Sequence, residues 1–153
     1  MISDTKVVAI GGGTGLSTML KGLKLHTHNI TAVVTVADDG GSSGILRSDL
    51  GMLAPGDVRN CVSALAEVDP VMGELLNFRF KDGSLKGHSL GNLFLAALNE
   101  TSSSFDEAVK KFSHLAGVVG TVYPVTNESV TLSALLEDGR LIEGESHIGV
   151  HHD

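Results

Sequence analysis

The chain has few aromatic residues and almost no cysteine, and both shortages restrict what it can be. Its 153 residues include no Trp, one Tyr and five Phe, so the core must be built mostly from Val, Leu, Ile and Ala. The single Cys cannot form an internal disulfide, which fits a reducing compartment. No apolar run approaches the roughly 18 residues of a membrane span, and the N-terminus lacks the basic and apolar regions of a signal peptide. These absences predict a cytoplasmic protein with no membrane partner.

Basic residues are outnumbered, with 11 Lys and Arg against 18 Asp and Glu and a net charge of −7. Broad electrostatic binding to nucleic acid needs a basic face, so we expect no nucleic-acid partner. The same balance is compatible with a phosphorylated ligand held by backbone N–H groups and one or two Arg. The length suits one domain, and no repeat or linker is visible, which predicts a single α/β unit over residues 1–153.

Two short apolar runs, at residues 6–10 and 30–36, predict buried parallel strands. Apolar positions from Leu16 onward recur at helical spacing, so the first part of the chain predicts one βαβ unit. Residues 37–56 are expected to be irregular. Further helical stripes follow, and residues 129–136 and 140–145, which flank Asp138-Gly139, predict a C-terminal β-hairpin. Side-chain caps are expected from Thr14 or Ser17, Asp57, Asp69, Ser89 and Ser104, the last in a Ser-x-x-Glu box.

A glycine-rich turn, GGGTGLS at residues 11–17, follows the first strand. Glycines allow a tight turn and let backbone N–H groups approach an anion at the positive end of the next helix. The segment is not a Walker A loop, and it is an imperfect dinucleotide fingerprint because Leu16 stands where a third Gly or Ala belongs. Four glycines in five residues favour ligand binding over a plain strand–helix connection.

An Asp-Asp-Gly-Gly turn follows the second strand, at the sheet edge where open parallel sheets bind ligands. Asp38 stands about where a dinucleotide-binding acid contacts a ribose. Asp38 and Asp39 together are also suited to Mg²⁺ that bridges ligand phosphates. The structural alternative is an Asx-type turn with both acids in solvent.

Two later segments also predict site residues. Arg59 opposes the helix dipole in the first turn of its helix, so a function is expected to hold it there beside Asn60. Gly91 allows close approach of a ligand or another segment, while His88 and Asn92 flank the start of the same helix. A lone His in this place is more often a capping or surface residue. We expect Cys61 in the core, and the His-rich tail at 147–153 is expected to be flexible because its spacing matches no strong metal motif.

Four ordered motifs, IGGGTGLS, TVADDGGSSG, PGDVRNC and GHSLGNL, resemble those of the YvcK-type gluconeogenesis factor family. That family belongs to the superfamily that contains 2-phospho-L-lactate transferase. The transferases share the glycine turn and the Asp-Asp turn but usually continue with an aromatic-containing segment. Here residues 40–44 are Gly-Gly-Ser-Ser-Gly, which together with Arg59 and Asn60 favours the factor branch. Family members run to roughly twice this length, so we expect an incomplete N-terminal fragment of a larger domain.

The resemblance implies a cytoplasmic bacterial protein whose core is a Rossmann-like, doubly wound, mainly parallel sheet. It implies binding of a nucleotide sugar such as UDP-N-acetylglucosamine, and a role in cell shape and growth on gluconeogenic carbon sources that directs carbon to cell-wall precursors. A protein partner in precursor synthesis and a homo-oligomer are compatible with it, and no catalytic activity is settled. A Mg-dependent phospholactate-type transferase and an NAD(P)-binding module stay open as alternatives. By resemblance the ligand cleft is lined by Gly12, Gly13, Thr14, Gly15, Asp38, Asp39, Ser42, Ser43, Arg59, Asn60, His88 and Asn92.

Overall fold

A three-stranded parallel sheet organises the computed structural model, which describes residues 4–150. Its strands are β1 (Val7–Gly11), β2 (Ile30–Val34) and β3 (Thr121–Pro124), arranged in the order β1-β2-β3. Ala32 of the central strand pairs with a residue on each side, which fixes the register. The first two strands confirm the predicted βαβ unit. The third was not predicted, and its terminal Pro suits an edge strand because Pro has no N–H to donate.

Seven helices and a two-stranded antiparallel hairpin complete the described part of the chain. The hairpin confirms the prediction around Asp138-Gly139, although its strands are shorter than expected. Among residues 4–150, no helix is both long and apolar enough to cross a membrane. The elements are α1 (Gly13–Leu23), α2 (Gly41–Leu50), α3 (Gly56–Leu65), α4 (Pro70–Asn77), α5 (Leu90–Glu100), α6 (Phe105–Leu115), β4 (Ser133–Leu135), β5 (Leu141–Glu143) and α7 (Glu145–Val150).

The two faces of the sheet differ sharply in burial. Side chains alternate along a strand, and Ile30, Ala32 and Val34 of β2 are all buried on one face. On the other face Val8 is 65% exposed and Ile10 is 76% exposed. Both crossovers step in the same direction, so right-handed connections place their helices on a single face. Parallel sheets are normally covered on both faces, so the open face is the place for the second layer of a doubly wound fold.

Three of the predicted side-chain caps are present. The Asp69 carboxylate accepts the N–H of Val71 at 2.9 Å, and Ser89 Oγ accepts that of Asn92 at 3.2 Å. At α6, Ser104 Oγ accepts the N–H of Glu107 at 3.1 Å, as the Ser-x-x-Glu box predicts.

The predicted cap of α1 by Thr14 or Ser17 is wrong. The helix begins earlier, with Gly12 in the N-cap position and no side-chain cap bond from it. Ser17 instead donates its hydroxyl back to the carbonyl of Thr14 at 3.1 Å. An acceptor from another element, the Asp57 carboxylate, takes the N–H of Gly13. A distant acid therefore supplies the cap that local sequence was expected to supply.

Residues 37–56 are not irregular throughout, because α2 occupies ten of them. Its sequence, GSSGILRSDL, has a low helix propensity, so contacts with other elements must hold it. Leu46 is buried in the core. Arg47 donates to the carbonyls of Ala37 at 3.0 Å and Asp38 at 3.2 Å, which ties the helix to the end of β2.

The expected flexible tail is also partly wrong, because α7 forms over its first residues. His147 Nδ1 lies 2.9 Å from the carbonyl oxygen of Glu143, and the N–H of Ser146 donates to Asp39 at 2.8 Å. The tail residues 151–153, with His151 and His152, lie outside the described residues.

Candidate functional site

The glycine turn packs against a buried acid. A Cβ added at Gly12 would lie 2.2 Å from Cγ2 of Thr35 and 2.8 Å from Oδ2 of Asp57. The predicted role of Asp57 as the cap of its own helix is wrong, since α3 has Pro55 in its N-cap position and no side-chain cap bond. Burial raises the pKa of the Asp57 carboxyl, and the hydrogen bond from Gly13 partly offsets that effect. A carboxylate thus stands where the fingerprint would place a dinucleotide's pyrophosphate.

The Asp-Asp turn separates its two acids. Asp38 Oδ1 accepts the N–H of Gly40 at 2.9 Å, which is the Asx-type turn of the structural alternative. The carboxylate is half-buried rather than fully in solvent, and a Cβ added at Gly56 would lie 3.3 Å from its Oδ2. Asp39 points elsewhere, and the N–H of Ser146 holds its pKa below the usual range. Asp38 therefore faces the start of α3, while Asp39 binds the start of α7.

The start of α2 presents backbone donors beside Asp38. The first N–H groups of a helix have no partner within it, and in the described residues no acceptor meets those of Gly41, Ser42 or Ser43. Ser43 Oγ accepts the N–H of Gly56 at 3.2 Å, which docks α2 against the start of α3. These free N–H groups and the helix dipole together favour an anion.

A buried chain of hydrogen bonds joins four predicted site residues. Arg59 Nε donates to Asn92 Oδ1 at 3.3 Å, and Asn92 Nδ2 donates to Ser42 Oγ at 3.1 Å. Ser42 Oγ then lies 2.9 Å from His88 Nδ1. His88 is 8% exposed, so the surface alternative for this residue is wrong. This series of hydrogen bonds connects α2, α3 and α5 through side chains that are distant in sequence.

Gly91 allows Arg59 to enter this network. A Cβ at Gly91 would lie 2.5 Å from the carbonyl oxygen of Leu76 and 2.8 Å from Cδ of Arg59. The predicted close approach of another segment is therefore confirmed. Arg59 Nη1 also donates to Asn77 Oδ1 at 3.0 Å, so its guanidinium is held by two neutral amides.

Arg79 lies at the same site and was missed by sequence reasoning. The loop from Phe78 to Leu90 folds back on itself, with the N–H of Phe80 donating to the carbonyl of His88 at 2.9 Å. Arg79 donates to the carbonyl of Gly87. Burial lowers the pKa of Arg59, the charge of Arg79 lowers it further, and the Asp57 carboxylate partly offsets both effects. Within residues 4–150, neither guanidinium forms an ion pair with a carboxylate.

These residues meet in one cavity of about 210 Å³. Two acids, Asp38 and Asp57, and two arginines, Arg59 and Arg79, belong to its lining. His88 is behind Ser42 rather than in the lining, and the glycine turn and Asp39 also lie outside it. The lining consists of Asp38, Gly40, Gly41, Ser42, Ser43, Gly56, Asp57, Arg59, Asn60, Arg79 and Asn92.

The acidic residues of the lining do not form a metal site by themselves. In the described part of the chain, no group of three His, Cys, Asp or Glu side chains is arranged to hold a metal ion. Burial and the nearby charges of Asp38, Asp57 and Asp39 raise the pKa of Glu145. A Mg²⁺ ion here would need ligand phosphate oxygens and water for most of its shell. Cys61 is buried in the core as expected, and burial raises its pKa to about 12.

A family model described as "2-phospho-L-lactate transferase CofD" matches residues 7–153. The chain belongs to the CofD family. The chain is 63% identical to a putative gluconeogenesis factor of Thermoanaerobacterium thermosulfurigenes, over 96% of this chain and 46% of the relative. It is 51% identical to the gluconeogenesis factor of Bacillus subtilis, over 94% of this chain and 45% of the relative. The predicted resemblance to gluconeogenesis factors is confirmed.

The fold of this CofD-family chain is also that of a solved relative. A crystal structure of a Bacillus halodurans protein superposes with a TM-score of 0.89 at 48% identity. The alignment covers 93% of this chain and 46% of that protein. The CofD-family chain therefore spans less than half the length of these relatives.

Proposed function

We propose that this chain binds a nucleotide sugar of the UDP-N-acetylglucosamine type in the cavity between Arg59 and Arg79. The observation that carries the proposal is that two guanidinium groups line one cavity and that, in the described residues, neither is within ion-pair distance of a carboxylate. Two like charges held together destabilise each other, and an anion between them removes that cost. Guanidinium groups bind phosphate through two parallel hydrogen bonds, so a diphosphate suits the pair.

The rest of the cavity fits the other parts of such a ligand. The free N–H groups of Gly41, Ser42 and Ser43 supply donors for a second phosphate. Asp38 and Asp57 also line the cavity, and carboxylates suit ribose or sugar hydroxyls rather than phosphate. The presence of both arginines and carboxylates in the lining therefore supports a ligand with an anionic part and a hydroxyl-rich part.

The biological role proposed is regulatory. The relatives in Thermoanaerobacterium and Bacillus are named for gluconeogenesis, and we propose that this chain serves the same process in the bacterial cytoplasm. Binding of a nucleotide sugar would report the supply of cell-wall precursors and direct carbon toward them, with consequences for cell shape. Such a role calls for a protein partner in precursor synthesis, and it is compatible with a homo-oligomer.

Isothermal titration calorimetry tests the proposal with UDP-N-acetylglucosamine, UDP and NAD⁺, each with and without Mg²⁺. We expect saturable heat from UDP-N-acetylglucosamine, weaker binding of UDP, and none of NAD⁺ because Asp57 stands at the glycine turn. The Thermoanaerobacterium relative is the matched control, because this chain aligns with only 46% of it and the rest of the relative can add ligand contacts. Absence of heat from both UDP ligands with this chain would contradict the proposal.

A transferase of phosphorus-containing groups is the second candidate, favoured by the name of the matching family model. Its chemistry would need Asp38 with Mg²⁺ and ligand phosphates, since residues 4–150 hold no three-ligand metal group. Metal-dependent product formation from a nucleotide donor, lost in Asp38→Asn, would favour this candidate over the regulatory one.

A further inference from the structure

We propose that Ser42 and His88 form a hydrogen-bond switch that changes direction when an anion enters the cavity. In the free protein the Ser42 hydroxyl donates to His88 Nδ1. In the bound protein it donates to a ligand phosphate, and His88 Nδ1 carries a proton that it donates to Ser42 Oγ. This inference rests on the proposed function, because it requires an anion beside Ser42.

Arg59 fixes the direction of the hydrogen bonds in this network. Arg59 can only donate, so the Asn92 atom 3.3 Å from its Nε must be the carbonyl oxygen. The amide nitrogen of Asn92 then faces Ser42 Oγ at 3.1 Å and donates to it. Ser42 Oγ is therefore an acceptor on the Asn92 side in every state of the protein.

One hydrogen remains on the Ser42 hydroxyl, and its acceptor decides the state of His88. Ser42 and His88 are each 8% exposed, so little of either side chain is open to solvent outside the cavity. In the described residues, the acceptor within reach of this hydroxyl is His88 Nδ1 at 2.9 Å. With that hydrogen bond in place, Nδ1 carries no proton, and the neutral ring carries its proton on Nε2.

An anion changes this arrangement because phosphate oxygens only accept. Ser42 lies in the first turn of α2, and it lines the cavity with Arg59 and Arg79. Once its hydroxyl hydrogen points to a phosphate, Ser42 Oγ can accept a second hydrogen bond, from His88 Nδ1. A proton that reaches Nδ1 from water makes His88 that donor, and release of the Nε2 proton to water leaves the ring neutral with the pair unchanged.

Nitrogen NMR of the His88 side chain tests the switch at one fixed pH. Protein labelled with ¹⁵N-histidine is measured free, with UDP-N-acetylglucosamine, and separately with inorganic pyrophosphate. His88→Asn identifies the resonance. We expect the shift of an unprotonated Nδ1 in the free protein and of a protonated Nδ1 in both complexes.

Two variants separate the switch from a structural effect. Ser42→Ala removes the connecting hydroxyl, so we expect no change in the Nδ1 shift at saturation and roughly ten- to hundredfold weaker binding. Ser17→Ala is the matched control, because that buried hydroxyl donates to Thr14 and lies outside the cavity. It should bind and switch as the wild type does.

The outcomes distinguish this inference from the proposed function. Saturable binding with Nδ1 unchanged, or a protonated Nδ1 already present in the free protein, would overturn the switch alone. Absence of binding by either probe in wild-type protein would overturn both the switch and the proposed function.

Discussion

The carboxylate of Asp39 accepts a hydrogen bond from the backbone N–H of Ser146 at 2.8 Å, across 107 residues of sequence. The acid turn after β2 therefore caps the last described helix. Arg47 adds a second connection, since its Nη2 donates to the carbonyl of Val130 at 2.8 Å. These two contacts dock α7 and the segment before the hairpin against the elements that follow β2.

Removal of the Asp39 carboxylate should loosen α7. Loss of a helix N-cap costs about 1 kcal/mol, so Asp39→Ala should speed hydrogen exchange over residues 145–150 by roughly fivefold. Asp39→Asn keeps an acceptor and is the control. The pKa of Asp39 is lowered, so its stabilisation is present at neutral pH and is lost as pH falls below 3.8 and through the folded value. Equal exchange in the two variants would contradict the cap.

Asp57 should show the opposite pH dependence. Its folded pKa lies above 3.8 because of burial, so the folded state holds the proton more tightly and stability decreases as pH rises from 3.8 through the folded pKa. Asp57→Asn keeps an acceptor for Gly13 and lacks the buried charge. Urea unfolding at pH 4 and pH 7 should show this variant gaining stability over wild type as pH rises. The exposed Asp82→Asn is the control, and an equal gain in both variants would contradict this account.

Local patterns predicted the elements whose signals are local. The first βαβ unit, the hairpin turn and the Asp69, Ser89 and Ser104 caps depend on neighbours in sequence. By contrast, α2 has weak propensity and is held by contacts from Arg47, which no periodicity reveals. The edge strand β3 has only four residues and ends in Pro124, so it is too short to show a clear alternation of apolar and polar residues.

In the candidate site, too, local sequence patterns predicted some residues, and contacts between distant segments placed the others. Glycine turns and clustered Ser and Asp residues predicted Ser42, and the unfavourable place of Arg59 in its helix indicated a function. Arg79 carries no such signal, because a loop that folds back on α5 brings it to the cavity. Burial of Asp57 under the glycine turn was equally hidden, since an Asp at a helix start usually caps its own helix.

The two faces of the sheet provide a matched stability test. Ile10 is 76% exposed on β1, whereas Ile30 is 2% exposed on the neighbouring β2. Deletion of one buried methyl group costs about 1 kcal/mol, so Ile30→Val should lower the free energy of unfolding by that amount. Ile10→Val should change it by less than about 0.5 kcal/mol. Equal costs in urea unfolding would show that both faces are covered.

Gly91 should tolerate no side chain, unlike a glycine elsewhere in a helix. Gly91→Ala forces a Cβ against Leu76 and Arg59, and such overpacking costs about 1–3 kcal/mol. Gly22 in α1 has open space around it, so Gly22→Ala should stabilise by about 0.5–1 kcal/mol. Both are measured by urea unfolding, and stabilisation by Gly91→Ala would contradict the close approach.

The most direct test of the anion cavity compares two exposed arginines of equal charge. Arg79 lines the cavity, and Arg140 lies in the hairpin turn beside Asp138. Calorimetry with UDP-N-acetylglucosamine should give a Kd roughly ten- to hundredfold weaker for Arg79→Gln, because a hydrogen bond to a charged phosphate is lost. Arg140→Gln should leave Kd within about twofold of wild type, since Arg140 lies outside the cavity lining and its exposed charge is screened and paired with Asp138. Equal Kd values for the two variants would contradict the assignment of this cavity as the ligand site.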